Sequence, residues 1–318
     1  MKVMKFSLPL IFLLAASPLA AQNVQFSSQL DQPNNVIGWD VTSSLGTINV
    51  SPSTFKMGGT FDFMLDSVNS PFQSGAFNGG LTYTNPTTLH GEMPNPFPFL
   101  PPLAEFDIYN LEMAYSAPSF AIDPNTGDFS ATATFVVTKG DFEMSGILGN
   151  SSNSLAGTTG IPTVIYGTVS QNGSTISMWF DMTLSISVTD PGSGITVGVA
   201  FTGDVESFVS TADANSMHID VPYGLAAGAT NTIQLSNGTP NGTVYLAGSA
   251  RGRGTFSIPS FGVDLGLSNP RHAATTNADM NGNGSFSLYV PASFLGLSVL
   301  FQAVEPGRVS NAAGTYIE

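Results

Sequence analysis

The chain is 318 residues long, carries a formal net charge of −14, has no cysteine, and is only 9% charged. Its acidic field repels phosphate backbones and anionic headgroups, which argues against nucleic acid and membrane surfaces as partners, and the missing thiols exclude a disulfide framework. With 34 glycines, and with Ser, Thr and Asn at polar positions in place of Glu, Lys and Arg, the composition is that of strands and turns.

At the start, Lys2 and Lys5 precede an apolar run from Phe6 to Leu14 and the small residues Ala15, Ala16, Ala20 and Ala21. This is the layout of a secretory signal cleaved after Ala21, and the run is too short to span a bilayer. The mature chain is therefore expected to be exported from a bacterium, to the periplasm, the cell surface or the medium, with no transmembrane segment. From Gln22 to Phe55 apolar residues are irregularly spaced and predict one early strand at Thr47 to Val50. Phe61, Phe63 and Leu65 alternate with Asp62, Met64 and Asp66, the period of a half-buried strand, and Leu81 to Thr84 forms another after Gly79-Gly80.

Met93 to Pro102 contains five prolines, which no central strand can hold. It reads either as a docking segment for a partner that recognises polyproline or, favoured by its apolar content, as a crossover pinned to the core by Phe97, Phe99 and Leu100. Ile108 to Tyr115 fits a strand or a short helix. Phe129 to Thr138 is a strand, Lys139-Gly140 turns the chain into Phe142, Met144 and Ile147, and Gly149 to Gly160 is a polar surface loop.

The clearest pattern follows. Met178, Phe180, Met182, Leu184, Ile186 and Val188 alternate with polar residues; past Asp190-Pro191-Gly192-Ser193 the alternation resumes with Ile195, Val197, Val199, Phe201 and Val205. A four-residue turn sets Val188 against Ile195, Leu184 against Val199 and Phe180 over Gly203. An Asn172-Gly173 hairpin upstream sets Val169 against Ile176 and Ile165 against Phe180. The result is a three-stranded antiparallel meander with one dry face, whose register a one-residue slip would destroy.

Residues 22–215 carry two lysines against 17 acidic groups, whereas 216–318 carry four arginines against five, a break that predicts two domains. In the second part, short strands at Met217 to Val221, Thr230 to Leu235, Thr243 to Ala247, Thr255 to Ile258, Phe286 to Val290, Ser298 to Val304 and Gly314 to Ile317 predict a small Ig-like β-sandwich. The run Gly228 to Leu235, Gly242 to Leu246, Val263 to Leu267, Ala278 to Pro291, Leu295 to Ala303 and Val309 to Asn311 resembles a β-sandwich module that recurs near the C-termini of secreted proteins of planctomycetes and myxobacteria. The resemblance covers the last third of the chain, rests on turn and packing residues, and implies an exported accessory domain without implying an activity.

Among candidate sites, Tyr166 falls opposite Trp179 in the predicted register, with Asp181 and Asp204 on the same outward face. Exposed rings beside carboxylates grip sugars, the rings stacking and the acids accepting hydroxyl hydrogen bonds; the competing reading is a structural cross-strand pair. Asp279, Asn281, Asn283 and Gly284 match the first half of a calcium loop, but Val290 stands where the closing carboxylate belongs, so a hairpin turn explains them with less and no metal is assigned. His90, His218 and His272 are far apart in sequence, and His218 alternates with apolar neighbours as a surface or packing residue. Glu92, Glu105, Asp107 and Glu112 flank the proline segment and could supply an acid pair. Arg251 and Arg253 form a small solvated loop.

These observations predict an all-β protein, an antiparallel β-sandwich or barrel-like domain followed by a small β-sandwich, without cofactor. The leading function is a non-catalytic envelope or extracellular protein acting in structure, adhesion or assembly with other envelope proteins. The alternative is extracellular polysaccharide binding through the Trp179 face, and the third is a hydrolase built on the carboxylates near Glu105 and Asp107.

Overall fold

The computed structural model describes residues 24–44, 46–97, 99–147, 149–189 and 194–318, so the signal-like leader and the turn at 190–193 lie outside the described residues. Eight antiparallel strands close a barrel: β1 (Val24–Leu30), β2 (Thr54–Leu65), β3 (Ser74–Asn85), β4 (Ala104–Ala121), β5 (Asp128–Gly146), β6 (Thr163–Asn172), β7 (Thr175–Thr189) and β8 (Thr196–Ser210). Each pairs with the next, and β8 returns to β1 where Gln29 faces Phe208. Beyond Leu30, the strand Val36–Ser43 takes the place of β1 between β8 and β2. Of the two architectures expected, the barrel is the one formed.

Closure gives every strand one face toward the axis, which is why the period of two is so strict. The axis is filled with rings: Phe61 and Phe180 lie 5.2 Å apart, Phe77 and Phe180 5.8 Å, Phe61 and Tyr115 5.9 Å. Tyr115 is the polar exception, and its hydroxyl donates to the sulfurs of Met57 and Met182 at 3.7 and 3.5 Å, while burial pushes the phenol up. The outward positions of β7 and β8 are mostly Ser, Thr, Asp and Glu, with Gly198, Ala200, Trp179 and Phe208, the reverse of the wall that a lipid-embedded barrel presents.

The meander exists as expected with its faces right and its register shifted by two residues. Leu184 faces Phe201, Met182 faces Gly203 and Phe180 faces Val205; upstream, Val169 faces Met178 and Gly167 faces Phe180. The hairpin turns on Gly173-Ser174, with Asn172 opposite Thr175 and Gly173 at φ +60, so glycine takes the first central position of the turn. A two-residue shift leaves each side chain on its own face, which is why periodicity was blind to it.

Bulges explain the other departures. In β4 the inward residues are Phe106 and Ile108, then Leu111, Met113 and Tyr115, because Asn110 at φ +50 inserts one extra residue. That broken parity is what made Ile108 to Tyr115 read as either strand or helix. Strand β5 likewise runs straight through Lys139-Gly140, where a turn was expected, and changes parity there from Val137 to Phe142. Val24–Leu30 and Val36–Ser43 were not foreseen, and Ser151–Ser154 is a short strand inside the expected loop. The proline segment is not pinned: Phe97, Phe99 and Leu100 are 59%, 81% and 46% exposed.

Short strands at Gly46–Thr47, Asn49–Ser51 and Thr88–Met93 flank the barrel, and after it come β9 (His218–Asp220), β10 (Ala229–Ser236), β11 (Thr243–Ser249), β12 (Arg253–Ile258), β13 (Val263–Leu267), β14 (Arg271–Asn277), β15 (Gly284–Val290), β16 (Ser298–Glu305) and β17 (Arg308–Tyr316). Sheets β9-β10-β15 and β14-β11-β16-β17 share a core in which Ile233, Leu235 and Phe286 meet Val244, Leu246 and Phe301. The strands β13 and β14 were not predicted, and the last strand begins at Arg308 instead of Gly314. A second small core forms on the outer side, where Leu265 and Leu267 of the β12–β13 hairpin meet Leu300, Val304 and Leu81 of the barrel.

Candidate functional site

The outer wall of β5 to β8 is a ruled surface. One row across the strands reads Asp128, Thr168, Trp179, Glu206, each opposite the next. The adjoining row holds Ser130 opposite Tyr166 and Asp181 opposite Asp204. Tyr166 is therefore not opposite Trp179; the two rings are diagonal neighbours, because the two-residue shift moves Thr168 into that position. Trp179 is 38% and Tyr166 60% exposed, so both rings reach water. The Asp181 carboxylate accepts the backbone N–H of Tyr166, whereas the carboxylates of Asp128, Asp204 and Glu206 have no partner among the described residues. What the wall offers is two ring edges or faces with acceptors between them, on strands too tightly closed to move apart.

The wall of β1 to β4 has the same alternation, but its stretch around Asp62, Leu81 and Glu112 is covered by the sandwich. Asp62 points outward on β2 yet is 1% exposed, and its Oδ2 accepts from Asn311 Nδ2 at 2.9 Å. Asn311 also receives Ile219 N–H at 2.8 Å, tying the junction into the β9 backbone. Burial pushes the Asp62 carboxyl up, opposed by the nearby His218, and burial holds the His218 imidazole below its ordinary value, opposed by Asp62 and Asp220. His218, 5% exposed, is thus a packing residue of the junction.

Glu112 is the second buried carboxylate there, 3% exposed, in contact with Arg253 Nε at 3.4 Å and Lys139 Nζ at 3.8 Å. The Arg253 guanidinium also stacks on Tyr83, 3.2 Å from the ring centroid. The expectation of a solvated loop fails at Arg253 for this reason. Its one sequence-level signal was Glu112 itself, a lone acid inside an apolar run that requires a cationic partner when buried.

Between the two walls lies a cleft of about 830 Å³. Its floor is the cross-strand row Phe208, Gln29, Thr60, Leu81, and Arg253 stands at its side with Gln302 and Ser310 above. Sequence reasoning missed this cleft because its residues come from strands more than 200 positions apart.

The other candidates are plainly placed. Glu92 lies opposite Glu105 and His90 Nδ1 pairs with Asp107 Oδ1 at 2.8 Å, on a solvent-facing wall that Glu112 does not share. Asp279 Oδ1 accepts the N–H groups of Asn281 and Asn283 at 2.7 and 2.9 Å, the geometry of a turn, and among the described residues no group of His, Asp and Glu has metal-site spacing. No helix among the described residues is long and apolar enough to cross a membrane. Comparison of the chain with family models, with curated proteins and with solved structures finds no match.

Proposed function

We propose that this is an exported, non-catalytic protein of the cell envelope or extracellular space with an adhesive role, and that it adheres by binding polysaccharide on the bare wall of its barrel. The observation that carries the reading is the exposure of Trp179 and Tyr166 side by side on the outer wall of the closed barrel. Sugar rings have apolar faces that stack on such side chains and hydroxyls that Asp204 and Glu206 can accept from. The leader-like N-terminus and the C-terminal resemblance support the exported location. The test is retention of the purified mature chain on an array of insoluble and soluble polysaccharides. Retention that disappears in Trp179→Ala supports the reading; equal retention of both proteins, or none, refutes it.

A further inference from the structure

The bare wall and the cleft are continuous. Along β7 the outward residues run Trp179, Ser177, Thr175, and along β8 they run Glu206, Phe208, Ser210; the far ends of both lines border the cleft. Four residues of strand span about 13 Å, so a chain ligand stacked on Trp179 enters the cleft within its next few units.

The cleft has its own chemistry. Arg253 is the cation that lines the cleft and Asp213 the carboxylate, and behind the lining Arg253 shares the buried Glu112 with Lys139. Arg253 is fixed on two sides, by the Nε contact to Glu112 and by the Tyr83 ring, and its side chain is 33% exposed toward the cleft. Its two terminal amino groups have no protein acceptor among the described residues. They present the end-on fork that binds an oxyanion through paired hydrogen bonds. Around it stand neutral groups with unused capacity. Gln29 and Thr175 are exposed along its lining. The volume lies within the roughly 300–1,000 Å³ typical of small-ligand sites.

We infer that the cleft is a subsite for an anionic sugar, a ring bearing a carboxylate or a sulfate, whose oxyanion sits on Arg253 and whose hydroxyls meet Gln29 and Thr175. This deepens the adhesive reading by naming the class of polysaccharide, and rests on it for the continuous track.

The experiment is titration calorimetry of the mature chain with oligosaccharides of equal length, one neutral, one uronate-bearing and one sulfated, at low and high salt. The anionic chains are expected to bind at least tenfold tighter than the neutral one, roughly the worth of one charge-assisted pair, with the gap closing in high salt. Arg253→Lys should lose most of the gap, and Arg253→Met all of it. The double variant Gln29→Ala, Thr175→Val, altered only at exposed side chains, should weaken all three ligands and serves where Arg253 variants do not fold. Preference for uronate over sulfate, or the reverse, identifies the oxyanion. Anionic binding that Arg253→Lys removes and Trp179→Ala leaves intact upholds the cleft and refutes the wall. Equal binding of neutral and anionic chains, lost only in Trp179→Ala, refutes the cleft and upholds the wall. No binding of any ligand refutes both.

Discussion

On β7 and β8 the outward Trp179, Thr183, Thr202 and Asp204 stand in water, whereas on β2, β3 and β4 the outward Asp62, Leu81 and Glu112 are 1%, 4% and 3% exposed. Both walls are built by the same two-residue alternation on the same closed barrel. The difference is the sandwich, whose β17 lies against β3, β4 and β5 and whose β12–β13 hairpin receives Leu81. Outward on a strand therefore does not mean exposed. It means available, either to solvent and ligand or to another layer of the same chain, and the polar residues on the covered wall must find partners that those on the bare wall find in water.

That contrast can be broken by mutation. Leu81→Ala should lower stability by about 2–4 kcal/mol, as for a buried leucine, while Thr183→Ala on the bare wall stays within about 0.5 kcal/mol. Chemical denaturation of the two variants checks this, and equal midpoints would show that the sandwich does not load the barrel wall. Arg253→Met strands Glu112 with Lys139 alone and should cost about 1–3 kcal/mol, less than a fully buried pair because the arginine is partly in water. Adding Glu112→Gln to it should recover part of the loss.

The junction also predicts a pH dependence. His218 is held below its ordinary value of 6.5 by burial. The unfolded chain then binds the extra proton, and stability present above 6.5 is lost as pH falls below it. Asp62 is held above its ordinary value of 3.8 by burial. The native state keeps its proton longer, and stability is lost as pH rises from 3.8 through the folded value. Melting temperatures across pH should show a falling acid limb that His218→Gln flattens and an opposing limb that Asp62→Asn flattens. Trp179→Ala should lower stability by less than about 1 kcal/mol and abolish polysaccharide retention. A large drop in stability there would make Trp179 a structural residue and remove it from the proposed site.

Much of the barrel was legible in the residues themselves. Met178 to Ile186 and Ile195 to Val205 could face only one way, and they do. What escaped was decided by features that periodicity cannot carry: the bulge at Asn110, the parity change at Lys139-Gly140, and a register offset that keeps every face. The candidate site divides along the same line. The outward placement of Trp179, Tyr166 and Asp204 was legible because they decorate a regular outward face. The meeting of Arg253, Gln29 and Thr175 was not, because nothing local distinguishes them from solvated polar residues.

By itself the order of residues determined the strand class, the inward faces of β7 and β8 and the acidic, cysteine-free character of the chain, all of which follow from a two-residue pleat and from composition. Only the tertiary structure decided that the sheet closes, that its axis is packed with phenylalanine, and that one side of it is roofed by the C-terminal sheets. Closure and roofing are contacts between strands up to 249 positions apart, as in the Asn311 bond to Asp62. Such contacts depend on how faces meet, and a face does not record in its own sequence what will cover it.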